Sequence, residues 1–287
     1  MIDSTRRDWH EINGWHVLFL FFVIWIGAGL FTHYQVPQSL DPATRYSYRA
    51  IIAQTITASL FSTIVLLNRN LRSFALSACR RPQRPVSWLE IGAAICLMFL
   101  WGFGAHRLIV GATMVYGDSS YWYKFFGLTT SAEVLREKHL LLAILIGIIV
   151  APILEEFVFR AVMLRAWLQN RSVWLSIALS SIAFGAIHNV GFLFAAGAGV
   201  LFATLFLSYG SIWPVVFVHA AHNVVALIPA LRERAFLRDP ASVSNWSSWS
   251  VEIVLAALFF PLAVWLFKRL LAYPTFPSAS VVRPAGA

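Results

Sequence analysis

Residues 140–160 read LLLAILIGIIVAPILEEFVFR, and this segment determines the architecture expected for the whole chain. An uncharged apolar run from Leu140 to Leu154 is long enough to enter a bilayer. Two adjacent carboxylates, Glu155 and Glu156, follow it at once, with the guanidinium of Arg160 one turn later. A single charge at bilayer depth costs about 2.5–3.5 kcal/mol on insertion scales. Three such charges together indicate a functional centre inside a membrane-spanning helix.

The composition places the chain among polytopic membrane proteins. Of its 287 residues, 59% are hydrophobic and 12% are charged, whereas a soluble domain usually carries about 25% charged residues. The mean hydropathy is +0.71. The net charge of +9 is explained by basic cytoplasmic loops, since no nucleic-acid-binding motif accompanies it. We therefore expect the lipid bilayer as a partner and no nucleic acid.

The apolar runs predict an all-α protein with about eight transmembrane helices, each of about 20 residues. A single transmembrane domain is expected over residues 1–273, with a motif-bearing core near 139–230 and a disordered tail over 274–287. The arginine cluster between Arg69 and Arg84 favours cytoplasmic termini in a bacterial-type plasma membrane. The predicted spans are 14–33, 48–68, 88–115, 139–168, 172–189, 191–208, 211–230 and 249–271.

Three of these spans carry polar groups at helical spacing. Glu156 and Arg160 are four residues apart and share a face, whereas Glu155 is rotated by about 100° and points to another partner. In the next span His188 lies four residues after an aromatic side chain, and an apolar wall below an imidazole favours its neutral form. In the seventh span His219 and Asn223 are four residues apart, and His222 borders the same face.

The fourth and fifth spans form a hairpin that turns near Arg171. Glu155 lies 16 residues before this turn and His188 lies 17 after it, so both are about 24–26 Å from it. This registry predicts that they meet at one depth. His188 is nevertheless close to the outer end of its span, while His219 is only eight residues into the seventh. Either the hairpin extends well beyond the membrane, or the span boundaries or the orientation differ.

A structural interpretation of single polar residues remains open. One intramembrane histidine is more often an interhelical contact than a catalyst. Arg107, beside His106 in the third span, can snorkel or pair with a carboxylate. Cys79 and Cys96 form no C-x-x-C motif and are interpreted as structural. The combined set on three spans is harder to explain as interhelical contacts alone.

Together, the motifs resemble the CPBP (Abi) family of intramembrane proteases, which includes type II CAAX prenyl endopeptidases and bacteriocin-processing and self-immunity proteins. The family pattern is E-E-x-x-x-R, F-x-x-x-H and H-x-x-x-N. In this chain the three motifs run from Glu155 to Arg160, from Phe184 to His188 and from His219 to Asn223. The resemblance covers about residues 139–230. One departure is Ala161, where many members have glycine.

The resemblance implies an endopeptidase with a water nucleophile. Glu155 and His188 would activate the water as general base, and His219 and Asn223 would stabilise the oxyanion. By the same resemblance, His222 lies outside the core site. The supporting residues that it implies are Glu156 and Arg160, which would fix the fourth helix, and Phe184, which would shape the pocket.

Alternative mechanisms and functions use the same residues. We expect no cofactor. In a zinc mechanism, however, Glu155, His188 and His219 would bind Zn²⁺ and leave a position for water, although the sequence lacks H-E-x-x-H. A proton-coupled transporter and a non-catalytic immunity factor are further alternatives. The expected partner is a peptide or protein with a membrane-associated segment, such as a prenylated C-terminus, a pheromone or bacteriocin precursor, or a C-terminal anchor.

Overall fold

The computed structural model describes residues 13–39, 42–116, 145–188, 192–231 and 246–272. Within these ranges the chain is helical and contains no strand, so the predicted all-α class is confirmed. The tail predicted over 274–287 lies outside the described residues. The side chains of His106 and Arg107 lie outside them as well, although their backbone belongs to a helix. The extent of the single domain stays a prediction.

Four helices lie in the described residues from 13 to 116. They are α1 (Gly14–Gln35), α2 (Pro42–Leu67), α3 (Arg69–Ser77) and α4 (Trp88–Tyr116). Asn13 caps α1 by accepting a hydrogen bond from the backbone of Trp15, and Asn68 caps α3 in the same way. The short helix α3 lies between the second and third predicted spans, where we expected a loop. Its nine residues include few apolar ones, so the hydropathy of the sequence does not indicate a helix there.

The helix that carries the two glutamates, α5, alternates between α- and π-helical turns. It consists of four consecutive segments, which are π Ile146–Val150, α Ala151–Glu156, π Phe157–Leu164 and α Arg165–Leu168. The sequence predicted one uniform α-helix here. π turns are rare and often occur at functional sites, and in α5 they flank the glutamate pair on both sides.

Four further helices complete the described part of the chain. They are α6 (Val173–Ile187), α7 (Phe192–Tyr209), α8 (Ile212–Leu231) and α9 (Trp246–Leu271). Ser172 caps the start of α6, and His188 is the residue that directly follows its last helical residue. Helices α6 and α7 pack closely, since a Cβ added to Gly199 would lie 2.9 Å from the Cα of Ser181. The small side chains of α7 thus allow close helix contact.

A buried polar cluster fastens α9 to α4 and α7. Glu90, which is fully buried, forms an ion pair with Arg84 and accepts a hydrogen bond from Nε of Arg269 at 2.6 Å. It also accepts one from the hydroxyl of Tyr209 at 2.6 Å. Arg84 donates in turn to Ser208. Three helices that are distant in sequence are therefore tied together around one carboxylate.

Each of the eight predicted spans overlaps a helix in the described part of the chain, and α3 is additional there. Among the residues that the structure describes, two helices, Gly14–Gln35 and Phe192–Tyr209, are long and apolar enough to cross a membrane by length and composition. Large apolar side chains are exposed on the outer faces, among them Phe19 at 72% and Trp174 at 64%. The count of eight transmembrane helices stays a prediction.

Contacts of α3 and the residue after it connect α5 with the α7–α8 turn. The backbone carbonyl of Phe74 accepts a hydrogen bond from Arg165, and that of Ala78 accepts one from the backbone of Ile212. Glu155 lies ten residues before Arg165 in α5, and His219 lies seven residues after Ile212 in α8. These separations are about 15 Å and 10 Å along the two helices. The position of the α5–α6 hairpin relative to the membrane stays a prediction.

Candidate active site

Glu156 is the fixed centre of the site. Its side chain is fully buried, and its Oε2 lies 3.1 Å from Nε of Arg160. Its other oxygen, Oε1, lies 2.9 Å from Nδ1 of His219. The carboxylate therefore joins α5 to α8 as well as pairing along its own helix. The first contact follows from the spacing of the sequence, whereas the second was not predicted.

Arg160 is enclosed by aromatic rings and a backbone oxygen. Its Nη2 donates to the carbonyl of Gly199 at 3.3 Å. The guanidinium carbon lies 4.6 Å from the ring centre of Phe184 and 5.4 Å from that of Phe202. Cation–π contacts of this kind gain strength away from water. The guanidinium therefore connects α5 to α6 and α7 at the level of the glutamates.

Glu155 faces both histidines. Its Oε2 lies 3.8 Å from Nε2 of His188 and 3.8 Å from Nε2 of His219. The side chain of Glu155 is 5% exposed and that of His188 is 27% exposed, so the centre is accessible mainly from the side of His188. Both separations exceed a direct hydrogen bond, but a single water can bridge them.

Backbone and side-chain contacts orient the two imidazoles. Nδ1 of His188 lies 2.7 Å from the carbonyl oxygen of Phe184, and the two rings are 4.6 Å apart. His219 stacks on Phe202 with a centroid separation of 4.8 Å and an interplanar angle of 27°. Because a carbonyl and a carboxylate only accept, Nδ1 carries the proton in both rings. Each Nε2 is thereby directed towards Glu155.

Three acceptors converge at this point. In its neutral form each imidazole presents an Nε2 lone pair, and Glu155 presents a carboxylate oxygen. Such an arrangement is repulsive unless a donor lies among the three atoms. The donor can be a water, an additional proton or a cation. The geometry thus favours a bound species at the place where the sequence predicts the nucleophile.

Asn223 and His222 lie beside this centre. Asn223 donates from Nδ2 to the carbonyl of Gly147 at 2.7 Å, so its described hydrogen bond goes to α5 and not to Glu155 or His188. His222 packs against Phe194 with ring centres 5.2 Å apart. The structure therefore gathers Glu155, His188 and His219 directly and places Asn223 one turn away.

Three contributors were not recognised in the sequence: the stacking ring of Phe202 and the carbonyls of Gly199 and Gly147. Phe202 follows Gly199 by three residues and shares its helix face, so the run of small residues in α7 was a signal for close approach. A contact made by a backbone carbonyl does not depend on which side chain the residue carries. Neither glycine carbonyl was therefore identifiable from the sequence.

The side chains of Glu155, His188 and His219 are of the kinds that bind zinc, but their donor atoms lie farther apart than the ligand atoms of a bound zinc ion. Two imidazoles with hydrogen-bonded Nδ1 atoms and one carboxylate are ordinary zinc ligands. Tetrahedral ligand atoms at 2.0–2.2 Å from zinc lie roughly 3.3–3.6 Å apart, against 3.8 Å in this site. Among the described residues, no group of three His, Cys, Asp or Glu meets the requirements of a metal site.

Comparisons with known proteins cover the region of the chain that contains this site. Residues 137–225 match the family model of the type II CAAX prenyl endopeptidase Rce1-like proteins. A Bacillus subtilis (strain 168) protein described as "Putative membrane peptidase YdiL" is 25% identical over 174 residues, which cover 58% of this chain and 68% of that protein. No solved structure matches significantly. Both similarities indicate a membrane protein with peptidase relatives. The predicted resemblance to the CPBP family is therefore confirmed, and residues 137–225, which contain Glu155, His188 and His219, carry it.

Proposed function

We propose that this protein is an intramembrane endopeptidase in which Glu155 and His188 activate a water for attack on a peptide bond. The observation that carries the proposal is the position of Glu155 Oε2, 3.8 Å from the Nε2 atoms of both His188 and His219. A water at this point donates its two hydrogens to two of the three acceptors. Its oxygen lone pair then faces the substrate carbonyl.

In the proposed reaction Glu155 is the general base. The carboxylate takes a proton as the water oxygen bonds to the carbonyl carbon, and it returns this proton to the leaving nitrogen when the C–N bond breaks. His188 holds the second hydrogen of the water through Nε2. Its Nδ1–H contact with Phe184 keeps the imidazole in the tautomer that this role requires.

The oxyanion is assigned to His219 and Asn223. Because Nδ1 of His219 already donates to Glu156, its Nε2 contributes to the oxyanion site only when it also carries a proton. Asn223 uses one amide hydrogen on Gly147 and keeps the second for the substrate oxygen. One such donor is typically worth about 10²–10³ in rate.

The proposed substrate is a protein or peptide with a membrane-associated segment, cleaved close to its C-terminus. The family description supports a prenylated C-terminus as one candidate. We further propose eight transmembrane helices with both termini in the cytoplasm and a location in the plasma membrane. No cofactor is included in this mechanism. If zinc is used, Glu155, His188 and His219 would hold it, and the metal would polarise the bound water.

Cleavage by the full-length protein in proteoliposomes tests the proposal. The substrate is first identified by comparing C-terminal and N-terminal peptides of the membrane proteome with and without Glu155→Ala. Glu155→Gln and His188→Ala are then expected to abolish cleavage, while His33→Ala, at an exposed position of α1, is the matched histidine control. Full cleavage by Glu155→Gln would refute the proposed role of Glu155. An intact biological phenotype of Glu155→Gln in the absence of cleavage would favour a non-catalytic factor.

Dialysis against a chelator separates the two mechanisms. Activity is expected to survive this treatment in the glutamate mechanism. Loss of activity with recovery on adding Zn²⁺ would replace it by the zinc mechanism. Ion flux through proteoliposomes without any cleavage would instead assign the same residues to a transporter.

A further inference from the structure

A second site lies at the end of α3, ten residues along α5 from Glu155. A cavity of about 270 Å³ opens there, which we call the arginine cavity. None of the described residues that line it is acidic. Its lining residues include three arginines, a glutamine, a serine and a glycine, which are Arg80, Arg81, Arg165, Gln83, Ser77 and Gly210.

The walls of the arginine cavity are held by hydrogen bonds between distant segments. The carbonyl of Tyr209 accepts from the backbone of Gln83 at 2.8 Å, and the carbonyl of Arg80 accepts from the hydroxyl of Ser211 at 2.7 Å. Gly210 has a φ of +64° and packs so closely on the Gln83 side chain that a Cβ would lie 2.6 Å from its amide carbon. The site is therefore preorganised.

Two of these arginines, Arg80 and Arg81, form no ion pair with a carboxylate whose side chain the structure describes. Glu90 is engaged by Arg84 and Arg269, and Glu155 and Glu156 belong to the centre described above. The third arginine, Arg165, donates to the carbonyl of Phe74. Guanidinium groups match phosphate oxygens in shape and charge, so a cavity with Arg80 and Arg81 in its lining suits a phosphate group.

The surface beside the cavity indicates which class of molecule carries this phosphate. Leu76 and Trp213 flank the lining residues and are 46% and 47% exposed. The indole of Trp213 donates to the carbonyl of Cys79 at 2.7 Å, and tryptophan is enriched at the membrane–water interface. Basic pockets between transmembrane helices can bind lipid headgroups. We propose that the arginine cavity binds the phosphate of an anionic phospholipid, whose acyl chains lie along Leu76 and Trp213.

Binding of short-chain phosphatidylglycerol and phosphatidylcholine to the full-length protein in detergent tests this proposal. The double variant Arg80→Gln/Arg81→Gln keeps the wall, because Arg80 accepts from Ser211 through its backbone. It is expected to bind phosphatidylglycerol about 30-fold more weakly, which corresponds to about fivefold for each guanidinium. Arg72→Gln is the matched control, since Arg72 is exposed on α3 and does not line the cavity.

The expected result is stronger binding of phosphatidylglycerol than of phosphatidylcholine, with selectivity kept in the Arg72 variant and lost in the double variant. Unfolding midpoints of all variants verify that the fold is intact. Equal affinity for both lipids, or an equal loss in the control, would overturn the proposal. Binding of inorganic phosphate as tight as that of the lipid would also overturn it, because the source would then be a soluble anion.

Discussion

The substitution Glu156→Gln is expected to destabilise the fold, and adding Arg160→Met is expected to restore stability without restoring activity. Both side chains are fully buried, and the Nε–Oε2 separation is 3.1 Å. Neutralising Glu156 alone leaves the guanidinium without its charge partner, which costs about 3–5 kcal/mol. That is a large share of a total stability of about 5–15 kcal/mol.

In the double variant neither charge is buried. Methionine fills the volume between the rings of Phe184 and Phe202, and replacing a buried pair by apolar side chains is often neutral or stabilising. The glutamine still accepts the hydrogen bond from Nδ1 of His219, but its charge is gone. The carboxylate that contacts His219, a proposed oxyanion donor, is then replaced by a neutral amide, so cleavage is expected to fall by about 10²–10³.

Thermal unfolding and kcat, measured on the same purified variants, separate the two effects. Glu155→Gln is the control, since it is expected to abolish cleavage while changing the unfolding midpoint little. Wild-type activity in the stable double variant would contradict the reasoning. Glu156 would then serve only to hold Arg160, and the contact with His219 would be incidental.

Three further outcomes are expected from other contacts. Gly199→Ala is expected to lower stability by about 1–3 kcal/mol through overpacking, because its Cβ would lie 2.9 Å from a backbone carbon of α6; an unchanged unfolding midpoint would contradict this. Phe202→Leu removes a ring contact with His219 worth about 0.5–1.5 kcal/mol and is expected to lower kcat up to about tenfold. Phe206 is equally buried, and an equal loss of kcat in Phe206→Leu would contradict a specific role of Phe202. Glu90→Gln is expected to lower the unfolding midpoint, at about 1.5–3 kcal/mol for lost charged hydrogen bonds, while leaving KM unchanged; a changed KM would argue against a structural role.

Helical spacing and hairpin registry were sufficient to predict part of the site. Because i and i+4 residues share a face, the pairing of Glu156 with Arg160 was expected. Because the hairpin arms have nearly equal lengths, Glu155 and His188 were expected at one depth. Both rules use only local geometry, and both contacts are present in the structure.

The remaining contacts depend on how separate helices pack. The spacing of residues within one helix does not indicate which other helix it contacts. The bond from His219 to Glu156 joins α8 to α5, and the carbonyls of Gly147 and Gly199 offer no side-chain signal. The π turns of α5 also change the rotation per residue, so a uniform 3.6-residue period misplaces faces over several turns.

The hydrogen bonds of the two imidazoles lead to a final prediction about a tautomer. Nδ1 of His219 lies 2.9 Å from Oε1 of Glu156, and Nδ1 of His188 lies 2.7 Å from the carbonyl oxygen of Phe184. Because a carboxylate and a carbonyl only accept hydrogen bonds, a proton is expected on Nδ1 of both rings. In ¹⁵N-histidine spectra of the resting protein, both rings should therefore show a protonated Nδ1, and His33→Ala serves to assign a signal outside the centre. An unprotonated Nδ1 in either ring would contradict the orientation of Nε2 towards Glu155 on which the proposed water position depends.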